Sequence, residues 1–121
     1  MSLKDSLKRI RDTYVIRQVQ NVNLPKFTEE NIHRYRISFR GRVQKVGFRL
    51  EITELANRLG LTGSCRNLEN GAVLAELQGP DDKIWYLVSF MESLKRIKIR
   101  EKEVCELEVD QEETAFVQVR E

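Results

Sequence analysis

The order in which two hydrophobic periodicities follow one another constrains the fold of this chain more than any other feature. Apolar residues that recur every three or four positions indicate a helix, whereas apolar residues that alternate with polar ones indicate a half-buried strand. Applied to the 121 residues, these rules predict a helix, a strand, a helix, two strands, a helix, a strand and a last short strand. A chain of this length is one ordinary domain that can bury its own core.

The first predicted strand spans residues 34–40, where apolar residues alternate with three arginines and a serine on the outer face. Asn70-Gly71, between two apolar segments, is typical of a hairpin turn. The other predicted strands comprise residues 64–67, 72–78, 99–109 and 115–120.

Two amphipathic helices are predicted between these strands. The first follows a loop at residues 41–47 and ends at Gly60, a residue type that commonly terminates helices. Residues 79–82 open the second, and their two acids suit the positive end of the helix dipole. The apolar faces comprise Phe48, Ile52, Leu55, Ala56 and Leu59 in the first helix, and Ile84, Leu87, Val88, Met91 and Leu94 in the second.

Two helices on one face of a mainly antiparallel sheet form an α+β sandwich. The predicted fold is therefore a ferredoxin-like βαββαβ sandwich with an extra C-terminal strand and an N-terminal helical extension. Because this fold serves many activities, it decides no function by itself.

Residues 1–33 are predicted to form the helical extension of a domain that spans residues 34–121. Apolar residues recur at helical spacing over residues 3–17, and Thr28 is a second candidate helix start. A lone helix of this length is marginal in water. We therefore expect its apolar stripe to pack on the domain or on a second copy of the chain, which would make a homodimer. The stripe comprises Leu3, Leu7, Ile10 and Tyr14.

Several function classes are disfavoured by what the sequence lacks. His33 is the only histidine, which argues against a zinc site and against a Ser-His-Asp or Cys-His arrangement. No apolar run reaches the roughly 18 residues of a membrane span, and the N-terminus has no signal-peptide core. We therefore expect a cytoplasmic protein without a metal. We expect Cys65 and Cys105 to be small buried residues rather than a disulfide.

The charges are unevenly distributed, although the net charge is only +2. Residues 34–66 carry eight Lys or Arg and two Asp or Glu, whereas residues 67–121 carry seven and thirteen. A basic middle third favours an anionic ligand. Within it, residues 41–49 read G-R-V-Q-K-V-G-F-R and lead from a strand into a helix N-terminus, where free N–H groups favour an anion. The spacing alone does not distinguish such an anion site from an ordinary connection between a strand and a helix that carries a surface arginine.

Two motifs together resemble the acylphosphatase family. The loop G-R-V-Q-K-V-G-F-R is similar to the family pattern G-x-V-Q-G-V-x-F-R, and G-S-C-R-N-x-x-N-G-x-V is similar to G-x-V-x-N-x-x-[DN]-G-x-V. The segment Q-G-P follows, and the resemblance extends from Tyr35 to Val119. It implies an enzyme that hydrolyses the carboxyl–phosphate bond of acyl phosphates to a carboxylate and inorganic phosphate, with neither metal nor cofactor.

The resemblance also implies roles for particular residues. It places the phosphate-binding arginine at Arg49 and the asparagine that orients water at Asn67. The phosphate would be cradled by the backbone amides of Gln44, Lys45, Val46, Gly47 and Phe48. Because an acyl phosphate has a good leaving group, the reaction needs charge stabilisation and a placed water rather than a nucleophilic side chain. The side chains of Gln44 and Phe48 are expected to serve the structure of the loop and the core.

Lys45 is the main departure from the family pattern, which usually has glycine at this position. If the position needs a positive φ, a lysine is strained by about 1–2 kcal/mol; otherwise it adds a cation beside the phosphate. Two alternatives stay open: a catalytically weakened module that binds an anion or a protein partner, and an RNA-binding domain. The absence of the aromatic RNA-binding motif of this layout disfavours the second, so we expect no nucleic acid partner.

Overall fold

The computed structural model describes residues 2–120. It confirms the ferredoxin-like α+β fold, with a short strand added at the C-terminus and a long helix at the N-terminus. The elements are α1 (Leu3–Asn21), β1 (Ile32–Arg42), α2 (Phe48–Leu59), β2 (Thr62–Asn67), β3 (Val73–Pro80), α3 (Asp81–Ser93), β4 (Lys98–Leu107) and β5 (Phe116–Gln118).

The five strands form one sheet in the order β4-β1-β3-β2-β5. The pairs of β1 with β3, β1 with β4 and β2 with β3 are antiparallel, and β5 lies parallel to β2 at the edge. Helices α2 and α3 cover one face of the sheet, and α1 packs beside α2. The βα connection between β1 and α2 therefore ends near the middle of the sheet, next to the end of β2.

The two apolar faces predicted for α2 and α3 form the core of the domain. Every residue of both faces is buried, together with the inward side chains of β1 and β3. Phe48 packs on Phe39 with their ring centroids 5.2 Å apart, which confirms that this motif phenylalanine belongs to the core. Gly60 ends α2 in the left-handed conformation at φ 73°, as its position predicted.

Helix α1 buries a different face from the one expected. Its buried residues are Val15 and Val19, which are 0% and 1% exposed and lie on the side that faces α2. The predicted stripe is exposed by 57–75% of its surface, so the expectation that it packs on the domain is wrong. Spacing alone identified an apolar stripe, whereas the packing partner α2 selects the face that carries the two valines. The stripe comprises Leu3, Leu7, Ile10 and Tyr14.

The segment between α1 and β1 contains no second helix, and the expected helix start at Thr28 is therefore wrong. The backbone N–H groups of Thr28 and Glu29 instead donate to Asp82 Oδ2, at 2.9 and 3.1 Å. This carboxylate at the start of α3 binds the segment in a conformation that is not helical. The two hydrogen bonds lower the pKa of Asp82. Strand β1 begins at Ile32. The strand therefore starts two residues before the boundary between extension and domain that the sequence suggested after residue 33.

The segment 108–115 crosses the open face of the sheet from β4 to β5. Along this path Glu113 accepts a hydrogen bond from Arg34 at 2.8 Å, and Gln78 Nε2 donates to the Asp110 carbonyl at 2.9 Å. Arg34 is consequently only 9% exposed, although the alternation in β1 placed it on a solvated face. The crossing brings β5 and the residues after it beside β2, at the same edge as the N-terminus of α2.

Candidate active site

The loop between β1 and α2 has an unusual backbone conformation. Gly47 is the N-cap of α2 with φ 81°, and Lys45 has φ 63°, the only positive φ of a non-glycine residue between residues 2 and 120. Left-handed residues turn the chain so that successive N–H groups can face a common centre. Because Gly47 has no side chain, none caps the first turn of α2. Its N–H groups are thus available to an anion.

Hydrogen bonds from three side chains hold this loop: one side chain belongs to the loop, and two come from distant parts of the chain. The Gln44 amide donates to the carbonyls of Leu68 and Ala72 at 2.9 and 2.8 Å, which ties the loop to the β2–β3 hairpin. Arg96 Nε donates to the Val46 carbonyl at 2.5 Å, and Arg11 donates to the Lys45 carbonyl at 3.1 Å. The side chain of Gln44 therefore has the structural contact that was expected of it.

Arg96 also neutralises a buried acid at the start of α2. Its guanidinium lies 2.7 Å from Glu51 Oε1, and the Glu51 side chain is completely buried. Burial raises the pKa of Glu51, and the bond to Arg96 opposes this rise. Sequence reasoning missed both residues. A charged residue inside the apolar face of α2 was the available signal, because a buried acid requires a cationic partner.

Arg49 lies in the first turn of α2, directly after the loop. Its side chain is half-buried, and one terminal nitrogen donates to the Val119 carbonyl at 3.0 Å. Val119 is itself held by its N–H, which donates to the Cys65 carbonyl at 2.8 Å. The residues after β5 thus orient the guanidinium from one side and leave its remaining N–H groups for a ligand.

Asn67 is the last residue of β2 and points to the same face of the sheet as Cys65, two residues earlier. Cys65 Sγ lies 3.7 Å from the Arg49 carbonyl, so this face of β2 is directed toward the first turn of α2. Asn67 Oδ1 is buried and has no hydrogen-bond partner among the described residues. An unpaired amide oxygen beside an anion site is suited to accept a hydrogen bond from a bound water.

The two cysteines differ in their surroundings. Cys65 is buried, and the loss of hydration raises the pKa of its thiol to about 11, so it stays protonated and is not a nucleophile at neutral pH. Cys105 lies on the edge strand β4 and is exposed, so the expectation that it is buried is wrong. Alternation in β4 did not reveal that this strand has solvent on both faces.

The hairpin after Asn67 has the turn chemistry that Asn70-Gly71 predicted. Asn70 Oδ1 accepts a hydrogen bond from the Ala72 N–H at 3.0 Å, and Gly71 has φ 92°. This compact turn presents the two carbonyls that bind the Gln44 amide, so it supports the loop.

Three basic residues next to the site in sequence, Arg42, Lys45 and Arg66, are exposed. Among residues 2–120, no three His, Cys, Asp or Glu side chains are placed so that they could hold a metal ion. In the same part of the chain, no helix combines the length and the apolar character that crossing a membrane requires.

Comparison with known proteins identifies one family. The sequence profile of the acylphosphatases matches residues 35–118. The chain is 34% identical over 83 residues to an acylphosphatase of Oceanobacillus iheyensis, and this alignment covers 67% of the chain and 91% of its relative. It is 44% identical over 63 residues to an acylphosphatase of Clostridium beijerinckii, across 52% of this chain and 67% of that protein.

Solved structures of acylphosphatases share the fold of this chain. The crystal structure of acylphosphatase from Bacillus subtilis matches with a TM-score of 0.67 and 28% identity, and the alignment covers 73% of this chain and 99% of that one. The family match begins after α1, so Arg11 and the rest of this helix lie outside the matched residues.

Proposed function

Because the chain belongs to the acylphosphatase family, we propose that it hydrolyses the carboxyl–phosphate bond of small acyl phosphates. The products are a carboxylate and inorganic phosphate. The observation that carries this proposal is that the uncapped N-terminus of α2, the guanidinium of Arg49 and the unpaired amide oxygen of Asn67 belong to adjoining elements.

The phosphoryl group is bound by the loop and by Arg49. Backbone N–H groups of a turn that enters a helix can donate to phosphate oxygens, and the helix dipole favours their negative charge. Arg49 adds a permanent positive charge and planar donors that can contact two oxygens at once. The phosphate-binding loop in this proposal comprises Gln44, Lys45, Val46, Gly47 and Phe48.

The attacking water is oriented by Asn67. Its Oδ1 accepts a hydrogen bond from the water, which leaves an oxygen lone pair free to attack phosphorus. Attack forms the new P–O bond and breaks the bond between phosphorus and the acyl oxygen, which leaves as a carboxylate. No side chain at the site is a general base, so the water proton passes to an oxygen of the substrate. Catalysis then depends on positioning and on stabilised charge.

This reaction requires neither a metal nor a cofactor, because Arg49 and the amides supply the positive potential at the phosphoryl oxygens. A loop that contacts only the phosphate selects for that group and leaves the acyl part of the substrate open. We further propose that the protein acts in the cytoplasm, without a nucleic acid or membrane partner, and that residues 34–121 form the catalytic domain.

A direct test is the hydrolysis of acetyl phosphate or benzoyl phosphate, with EDTA in one sample and with added Mg²⁺ in another. We expect equal rates in both. A rate that disappears with EDTA would contradict the metal-free reaction. Phosphate binding without turnover in either sample would identify the chain as a weakened member of the family that only binds the anion.

A further inference from the structure

We propose that Arg11 of helix α1 is a positioning residue of the phosphate-binding loop. It holds the Lys45 carbonyl and thereby keeps the peptide unit between Lys45 and Val46 oriented for binding phosphate. The proposal deepens the function proposed above and rests on it. It gives the N-terminal helix, which lies outside the family match, a part in the activity of the site.

The Arg11 guanidinium is oriented before it reaches the loop. Asp12 Oδ1 accepts hydrogen bonds from Arg11 Nε at 3.3 Å and from one terminal nitrogen at 3.1 Å. The other terminal nitrogen donates to the Lys45 carbonyl at 3.1 Å. The side chains of Arg11 and Asp12 are 27% and 33% exposed. Water therefore screens this ion pair less than it screens a fully exposed pair.

The helix that carries Arg11 lies directly on the loop. A Cβ atom built on Gly47 would come within 3.2 Å of Arg11 Nε and 3.5 Å of Val15 Cγ2. At the other end of α1, Arg58 of α2 donates to the carbonyls of Val19 and Val22. The buried valines and Arg58 thus fix the helix on α2, and Arg11 is the residue that connects it to the loop.

The hydrogen bonds to two loop carbonyls set the directions of two amides. In a trans peptide unit the C=O and the following N–H point in opposite directions. With the Lys45 carbonyl held by Arg11, the Val46 N–H is directed away from α1. With the Val46 carbonyl held by Arg96, the Gly47 N–H is likewise fixed. Two arginines from outside the loop therefore orient two consecutive donors of the proposed cradle.

Lys45 explains why such support is needed here. Its φ of 63° is a conformation that glycine adopts freely and that a residue with a Cβ disfavours. The hydrogen bond from Arg11 to the Lys45 carbonyl is made in this conformation and therefore stabilises it. The requirement for Arg11 should therefore depend on the residue at position 45.

The test is a double-mutant cycle of Arg11→Met and Lys45→Gly. Methionine retains an apolar stem against Gly47 and removes the hydrogen-bond donors. We would measure the affinity for inorganic phosphate by calorimetry, and kcat and KM for acetyl phosphate. Arg11→Met should weaken phosphate binding and lower kcat/KM about fivefold with lysine at position 45, which corresponds to one lost hydrogen bond. With glycine at position 45 the loss should be less than about twofold.

Arg58→Ala is the matched control, because Arg58 anchors the same helix and does not touch the loop. Phosphate affinity should be unchanged in this variant, and melting temperatures of all variants would report the docking of α1. Equal losses from Arg11→Met in the two backgrounds, or a loss as large in Arg58→Ala, would overturn the proposal. Wild-type phosphate binding without turnover would instead refute the proposed function, while the phosphate titrations would still decide the role of Arg11.

Discussion

Removal of the Arg49 guanidinium is the most direct test of the proposed site. Arg49→Ala deletes a charge that is half-buried and already oriented by the Val119 carbonyl. A preorganised donor at a developing negative charge contributes about 10²–10³-fold in rate, equivalent to roughly 2.7–4 kcal/mol. This is far more than a solvated surface charge provides, since water screens such a charge strongly. We expect kcat/KM to fall by about this factor.

Arg49→Lys separates charge from geometry. A lysine retains the positive charge, but its single nitrogen cannot contact two phosphoryl oxygens in the planar manner of a guanidinium while also donating to the Val119 carbonyl. We therefore expect kcat/KM of Arg49→Lys to exceed that of Arg49→Ala by less than about tenfold. Phosphate affinity, measured by calorimetry, should weaken in both variants, because the ground-state anion contacts the same group.

Arg42→Ala is the control for nonspecific electrostatics. Arg42 is exposed, ends β1 and lies next to the loop in sequence. Its removal should change kcat/KM by no more than about threefold at 0.15 M salt, and the change should diminish as salt is added. A kcat/KM for Arg49→Ala within fivefold of the wild type would refute the assignment of the phosphate site. Equal losses in the Arg42 and Arg49 variants would do the same.

Four further predictions concern other parts of the site and the fold. Asn67→Ala should lower kcat about 10²-fold and leave phosphate affinity nearly unchanged, because the buried Oδ1 orients water rather than the anion; an unchanged kcat would contradict this. Lys45→Gly should raise kcat/KM or leave it unchanged, since glycine adopts φ 63° without strain; a tenfold decrease at all salt concentrations would show that the lysine acts as a cation. Arg96→Ala leaves Glu51 buried without its partner and should destabilise the fold by about 3 kcal/mol. Because burial raises the pKa of Glu51 and Arg96 no longer opposes it, urea unfolding should show a larger loss at pH 8 than at pH 5, where the folded state binds the proton. A chain that begins at Glu30 should still fold, as judged by a cooperative thermal transition; an unfolded product would show that α1 belongs to the core.

The periodic segments of the domain could be predicted because their partners follow them closely in sequence. The buried faces of α2 and α3 are confirmed residue by residue, since a helix beside a sheet must direct its apolar side inward. The loop could be located for the same reason, because β1 and α2 flank it directly in the chain. The role expected of Arg49 came instead from the resemblance of its motif to the acylphosphatase pattern.

Contacts between distant segments could not be predicted in this way. The buried face of α1 depends on which side of α2 is free, so the more apolar stripe stays exposed while Val15 and Val19 are covered. The three residues that hold the loop or Arg49 from outside, namely Arg11, Arg96 and Val119, come from both ends of the chain and from the α3–β4 connection.

What the sequence determined by itself is local: the order of the strands and helices of the domain, the inward faces of α2 and α3, and the candidate residues for binding an anion. What only the tertiary structure decided is how those residues are held. The conformation of Lys45 shows the difference most clearly. Its type and position are visible in the sequence, but its left-handed backbone, and the contacts that Arg11 and Arg96 make with the carbonyls of Lys45 and Val46, are visible only in the structure. Hydrogen bonds of this kind have no periodic pattern, so only the folded chain reveals them.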